Sequence, residues 1–162
     1  MDRTSLTIED AAREVSTMIA AALRSYHTSS DPTLTRYLNE VINFMCRRME
    51  EFVQPRISKM ARVEAKRLGF DLATLRWRHQ SKKDPGRKIF HLDHCFDVRT
   101  MRIRLLALTE PTPANVECIL KLAQVAWILK EEDRKLTSSR HRHSRGDEWP
   151  RIYQDAGIEL EE

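Results

Sequence analysis

The sequence predicts an α+β domain that is predominantly α. Apolar residues recur at spacings of three and four through the first third of the chain, and strand-like patterning is confined to two short stretches. With only 4 Gly and 6 Pro in 162 residues, there is little material for turns. The expected architecture is an N-terminal helical hairpin plus a third helix over residues 1–69, used for packing or dimerisation. A small two-stranded β core with short flanking helices follows over 70–162, the whole forming one compact unit. A chain of this size buries roughly two-thirds of its unfolded surface. Its widely spaced cysteines, Cys46, Cys95 and Cys118, are therefore not needed as staples and fit a reducing, cytoplasmic setting. No signal peptide is expected, and the apolar runs near 18–23 and 125–129 are too short to span a bilayer, so no membrane role is expected.

Taken in order, Thr7 with Asp10 forms a capping box, and Ile8, Ala11, Val15, Met18/Ile19, Ala22 and Tyr26 lie on one helical face over 8–27. Asp31-Pro32 restarts the chain as a capping carboxylate with proline at the first helical position. Leu34, Tyr37/Leu38, Val41, Phe44/Met45, Met49 and Phe52/Val53 form the stripe of a helix over 33–54, which Pro55 ends. A third helix carries Ile57, Met60 and Leu68 to Gly69, with Arg56, Lys59, Arg62, Lys66 and Arg67 on its other face. Asp71 caps a short helix over 72–79. Ser81–Arg87 is a loop around Asp84-Pro85-Gly86, and 88–92 alternates as a strand. Asp97 caps a helix bearing Val98, Met101, Leu105 and Leu108, and Thr112-Pro113 opens another over 113–122. Val125–Leu129 reads as a buried strand, and Lys130–Leu136 as a helix with acids in its first turn. Thr137–Asp147 is a basic mobile loop. A short helix from Trp149 closes at Gly157, and 159–162 is an acidic tail.

Charge is uneven. The net charge is +4, yet residues 56–104 hold 14 Lys or Arg against 5 Asp or Glu. A basic middle with acidic flanks fits a surface that faces phosphate. Arg76, Arg78, Lys82, Lys83, Arg87, Lys88, Arg99 and Arg102 are the expected nucleic-acid contacts, made to the backbone rather than to bases. DNA is expected over RNA. Four scattered glycines exclude Gly-rich phosphate loops.

The densest chemistry is His91-Leu92-Asp93-His94-Cys95, at the end of the first strand. Strand alternation puts His91 and Asp93 on one side, with His94 at the exit. An Asp-His pair leaving a strand resembles the opening of HNH-type nucleases, the ββα-metal fold, over residues 87–136. The resemblance implies a metal-dependent endonuclease with His94 as general base and Asp93 as a ligand of Mg²⁺ or Mn²⁺, the cation stabilising the scissile phosphate. It offers Asn115 for the central asparagine, and Glu132 or Asp133 as a further acid, beside His91. The chain departs from that family in placing a helical insertion between the two strands and in lacking a cysteine-pair zinc framework.

Other readings compete. His91, His94, Cys95, Cys118, His141 and His143 supply donors for a Zn²⁺ site, in a spacing that matches no known finger. Cys95 beside His94 is a weaker nucleophile candidate. The histidines are alternatively structural, in a non-catalytic protein whose helices over 8–27 and 33–54 pair with a second copy or a partner protein.

Overall fold

In the computed structural model, which describes residues 6–138 and 145–161, Thr7 opens the first helix with the expected device. Its hydroxyl accepts from the Asp10 N–H at 3.2 Å while the Asp10 carboxylate accepts from the Thr7 N–H at 3.4 Å. Helix α1 (Ile8–Thr28) is followed by α2 (Pro32–Arg48), whose cap Asp31 accepts from Thr33 and Leu34. A 3₁₀ turn over Met49–Glu51 ends the run, so α2 stops short of the expected residue 54.

Contacts divide the chain into two units, Met1–Val53 with Asp97–Ala123, and Gln54–Phe96 with Gln124–Glu162. This is not a division at 69/70, because residues 54–69 group with the later part of the chain. The first unit adds α5 (Val98–Leu106), capped by Asp97, and α6 (Pro113–Leu120), capped by Thr112, to α1 and α2. It buries Ala11, Ala12, Ile19, Ala20 and Leu23 of α1 with Ile42, Cys46, Met101, Leu105, Val116 and Leu120. The small side chains of α1 let neighbouring helices approach it closely. Tertiary ties secure the helix ends: Arg24 donates to the Pro111 carbonyl, and the His27 ring contacts the Leu106 carbonyl. The expected stripe of α2 is only partly used, since Leu34, Tyr37 and Phe44 stay exposed, as does Met18 of α1.

The second unit is built on four strands among the described residues, not the two expected. They are β1 (Arg56–Ser58), β2 (Phe90–His94), β3 (Val125–Leu129) and β4 (Leu160–Glu161), in the order β2-β3-β1-β4. β3 pairs antiparallel with β2 and parallel with β1, and β1 pairs antiparallel with β4. The first residues expected in the third helix therefore form β1, and the helix α3 is Lys59–Arg67, capped by Ser58. Within the expected acidic tail, Leu160–Glu161 form a strand. As expected, Gly69 closes the end of α3, just past Leu68, with a left-handed φ of 78°. The expected helix over 72–79 resolves into 3₁₀ turns at Leu72–Thr74 and Trp77–His79. The expected loop carries the short α4 (Gln80–Lys83) and a turn at Pro85–Arg87. Helices α7 (Lys130–Ser138) and α8 (Trp149–Asp155) complete the unit. Of the expected basic loop over 137–147, residues 139–144, with His141 and His143, lie outside the described residues.

β3 is central and buried along nearly its whole length, which explains its unbroken apolar run. Cross-strand partners share a face. Ala126 and Ile128 therefore face Cys95, Leu136, Ile152, Tyr153 and Ile158, while Trp127 faces the opposite way. There the fully buried Trp127 donates its indole N–H to the Leu75 carbonyl at 3.2 Å, and Phe70 meets Phe90 edge-on. Trp127→Phe leaves that carbonyl without its donor, and urea denaturation is expected to show a loss of about 1–3 kcal/mol.

Candidate functional site

Pairing of β2 with β3 decides which side chains of the His-Asp-His-Cys stretch meet. His91 lies opposite Ile128 and Asp93 opposite Ala126, so both project on the face covered by α7 and α8. His94 lies opposite Val125, on the other face with Leu92. The alternation expected for His91 and Asp93 holds, but β2 starts two residues later than expected and takes in His94. The two members of the Asp93-His94 pair thus leave opposite sides of the strand.

Asp93 is buried and clamped. Arg145 makes a bidentate contact, Nη1 to Oδ2 at 2.7 Å and Nη2 to Oδ1 at 2.9 Å, and Nη2 also donates to the His94 carbonyl at 3.0 Å. The Tyr153 hydroxyl donates to Oδ2, and the Cys95 thiol donates to the Tyr153 oxygen at 3.4 Å. Burial raises the Asp93 pKa, but the hydrogen bonds and charge of Arg145, helped by Tyr153, outweigh it and hold the carboxyl below its ordinary range. Burial raises the Tyr153 hydroxyl well above its ordinary value and pushes the Cys95 thiol up to about 12. Burial thus keeps Cys95 a thiol at neutral pH, which speaks against its use as a nucleophile. Cys118 is exposed on α6, in the other unit.

His91 sits between two acids. Its Nε2 is 3.9 Å from Asp93 Oδ1 and 3.8 Å from Asp133 Oδ1, and one ligand atom from each of the three lies within 4.8 Å of the others. Burial lowers the imidazole pKa against the upward pull of Asp133 and Asp93, and burial wins. The shift favours the neutral imidazole, the form a metal ligand requires. Glu132 does not join the cluster. It is buried and accepts from the Ser58 hydroxyl at 2.6 Å and the Leu129 N–H at 2.8 Å, so it ties the start of α3 to the end of β3. Asn115 lies on α6, where its amide donates to the Glu110 carbonyl.

The basic residues separate in the same way. Arg76, Arg78, Lys82, Lys83 and Lys88 are exposed along the segment 76–88 of the second unit, which runs through a 3₁₀ turn, α4 and a second turn, with Arg87 half-buried among them. Arg99 and Arg102 belong to α5 of the first unit. Arg102 is half-buried, and its charge acts on the thiol of buried Cys46, which burial nevertheless pushes up to about 12. The basic face of α3 meets the chain's own acids: Lys59 pairs with Glu159 and Arg62 with Glu161.

What sequence reasoning missed is the anchor of the basic turn. Asp84 is 1% exposed, and its carboxylate accepts from the N–H groups of Lys88, Ile89 and Phe90 at 2.9–3.2 Å. Gln80, also buried, donates to Asp84 at 3.0 Å and to the Phe90 carbonyl at 2.7 Å. The Asp-Pro-Gly signal marked the turn but could not show that Asp84 points inward. Arg145 and Tyr153, more than fifty residues after Asp93, were missed too, and no local signal pointed to them.

No protein-family model, curated protein or solved structure matches this chain.

Breaking the clamp by Arg145→Ala strands a buried charge, and chemical denaturation should record a loss of about 3–5 kcal/mol. Combining it with Asp93→Asn should cost clearly less than the two single losses together. A second expectation concerns acid. Burial raises the Asp84 pKa, but its backbone and Gln80 hydrogen bonds prevail and hold it below the ordinary value. Its contribution is therefore complete above the unfolded value of about 3.9. It disappears as pH falls from there through the lower folded value. Stability measured by urea between neutral pH and acid should fall less steeply below about pH 4 in Asp84→Asn than in the wild type.

Proposed function

We propose that the protein binds nucleic acid in the cytoplasm, gripping the phosphate backbone through the turn at 76–88, with DNA preferred over RNA. The Asp84 anchor carries this reading. One buried carboxylate ties Gln80 to the N–H groups of Lys88, Ile89 and Phe90, within a segment that also bears Arg76, Arg78, Lys82, Lys83 and Arg87. Cations fixed beforehand lose less freedom on binding than cations on a floppy loop. Each phosphate they neutralise releases counterions, and this supplies affinity without regard to sequence.

A second reading, phosphodiester cleavage assisted by Mg²⁺ or Mn²⁺, is favoured by the meeting of His91, Asp93 and Asp133. The order β2, antiparallel β3, then α7 against both supports it as well, since HNH-type nucleases follow a ββα order. A neutral imidazole and two carboxylates suit such a cation, which when bound would offset charge on the scissile phosphate. His91 and Asp133 would be the principal ligands. Both Asp93 oxygens already accept hydrogen bonds, and the Arg145 cation beside them opposes a second positive charge. The base expected by resemblance, His94, faces away from this cluster, so His91 is the imidazole this reading relies on.

Fluorescence anisotropy with a labelled oligonucleotide tests binding. Affinity should fall steeply with salt, and Lys82→Glu with Lys83→Glu should weaken it at least about tenfold at low salt. No binding at low salt would overturn the proposal. Plasmid incubated with Mn²⁺, with and without chelator, tests cleavage: nicking that depends on metal should vanish in His91→Ala and Asp133→Ala. Nicking that persists in both variants would exclude this site.

A further inference from the structure

We infer that the ligand of the basic turn is single-stranded nucleic acid, held by stacking an unpaired base on Trp77. This rests on the nucleic-acid reading above and names the class of strand that the turn takes.

The three tryptophans differ in what the fold asks of them. Trp127 is fully buried and donates to Leu75. Trp149 packs on the core beside Tyr153. Trp77 remains 41% exposed, in the 3₁₀ turn between exposed Arg76 and Arg78. A large apolar ring in the most basic stretch of the chain calls for an explanation beyond core packing.

Arg87 lies against the ring, its guanidinium carbon 4.0 Å from the indole centroid. That contact is built into the backbone. Arg87 has a φ of 51° after Gly86 at 74°, a left-handed conformation that side-chain-bearing residues seldom adopt. The surrounding hydrogen bonds hold it: the Arg87 N–H donates to the Asp84 carbonyl at 2.8 Å, and the Lys88 N–H to the Asp84 carboxylate at 2.9 Å. Indole and guanidinium are thus two planar groups set against each other, with cations on both sides in sequence. Stacking on an aromatic ring tolerates any base, because every base has a π face, and cations beside it track the backbone. In a duplex those faces are already occupied by neighbouring base pairs, whereas a single strand offers them.

Anisotropy on the full chain, with labelled oligo-dT and a duplex of equal nucleotide content, tests this. The wild type should prefer the single strand. Trp77→Ala should weaken single-strand binding about tenfold or more while leaving duplex binding within about twofold. Trp77→Phe should retain most of the affinity, and unchanged circular dichroism will show that both variants fold. Equal weakening of both ligands in Trp77→Ala, or a wild type that binds duplex at least as tightly, would overturn the stacking inference and leave phosphate binding standing. Absence of binding to either ligand at low salt would overturn both.

Discussion

A carboxylate buried on a strand must be either neutralised or paired, and Asp93 is paired. Removing an ion from water costs several kcal/mol even after relaxation. The cost is offset here by a bidentate guanidinium and a tyrosine hydroxyl supplied from beyond residue 144. Arg145 and Tyr153 must therefore stay against β2, which holds α8 and the residues just before it to the edge of the sheet. The neighbouring thiol of Cys95 completes the chain of donors and remains protonated. The face of β2 that carries His91 is set by the same requirement.

Asp84 solves a related problem differently. It too is buried, but its partners are backbone N–H groups and the Gln80 amide rather than a cation. The carboxylate that holds the turn is thus satisfied without a cation. In α3 the opposite holds, because Glu159 and Glu161 face its cations.

Much of the local structure was legible. Thr7, Asp31, Asp97 and Thr112 cap helices as their positions suggest, since a cap needs a side chain and an amide only two or three residues away. The strand at Val125–Leu129 was legible because five apolar residues in a row suit a strand covered on both faces. Strands β1 and β4 were not, being three and two residues long and paired with partners far off in the chain. The exposure of Leu34, Tyr37 and Phe44 was likewise hidden, because spacing reports an apolar face but not whether anything covers it.

The candidate site divides along the same line. By itself the sequence determined that His91 and Asp93 share a side, that basic residues crowd the segment before them, and that Asp84-Pro85-Gly86 turns the chain. Each follows from strand alternation, composition or dihedral preference, all of which act over a few residues. Only the tertiary structure decided that His94 points away and that Asp133 rather than Glu132 meets His91. It also decided that Asp93 is claimed by Arg145 and Tyr153, and that Asp84 is the buried anchor. These depend on which distant segments the sheet register and helix packing bring together, and charge burial is settled only once those partners are in place.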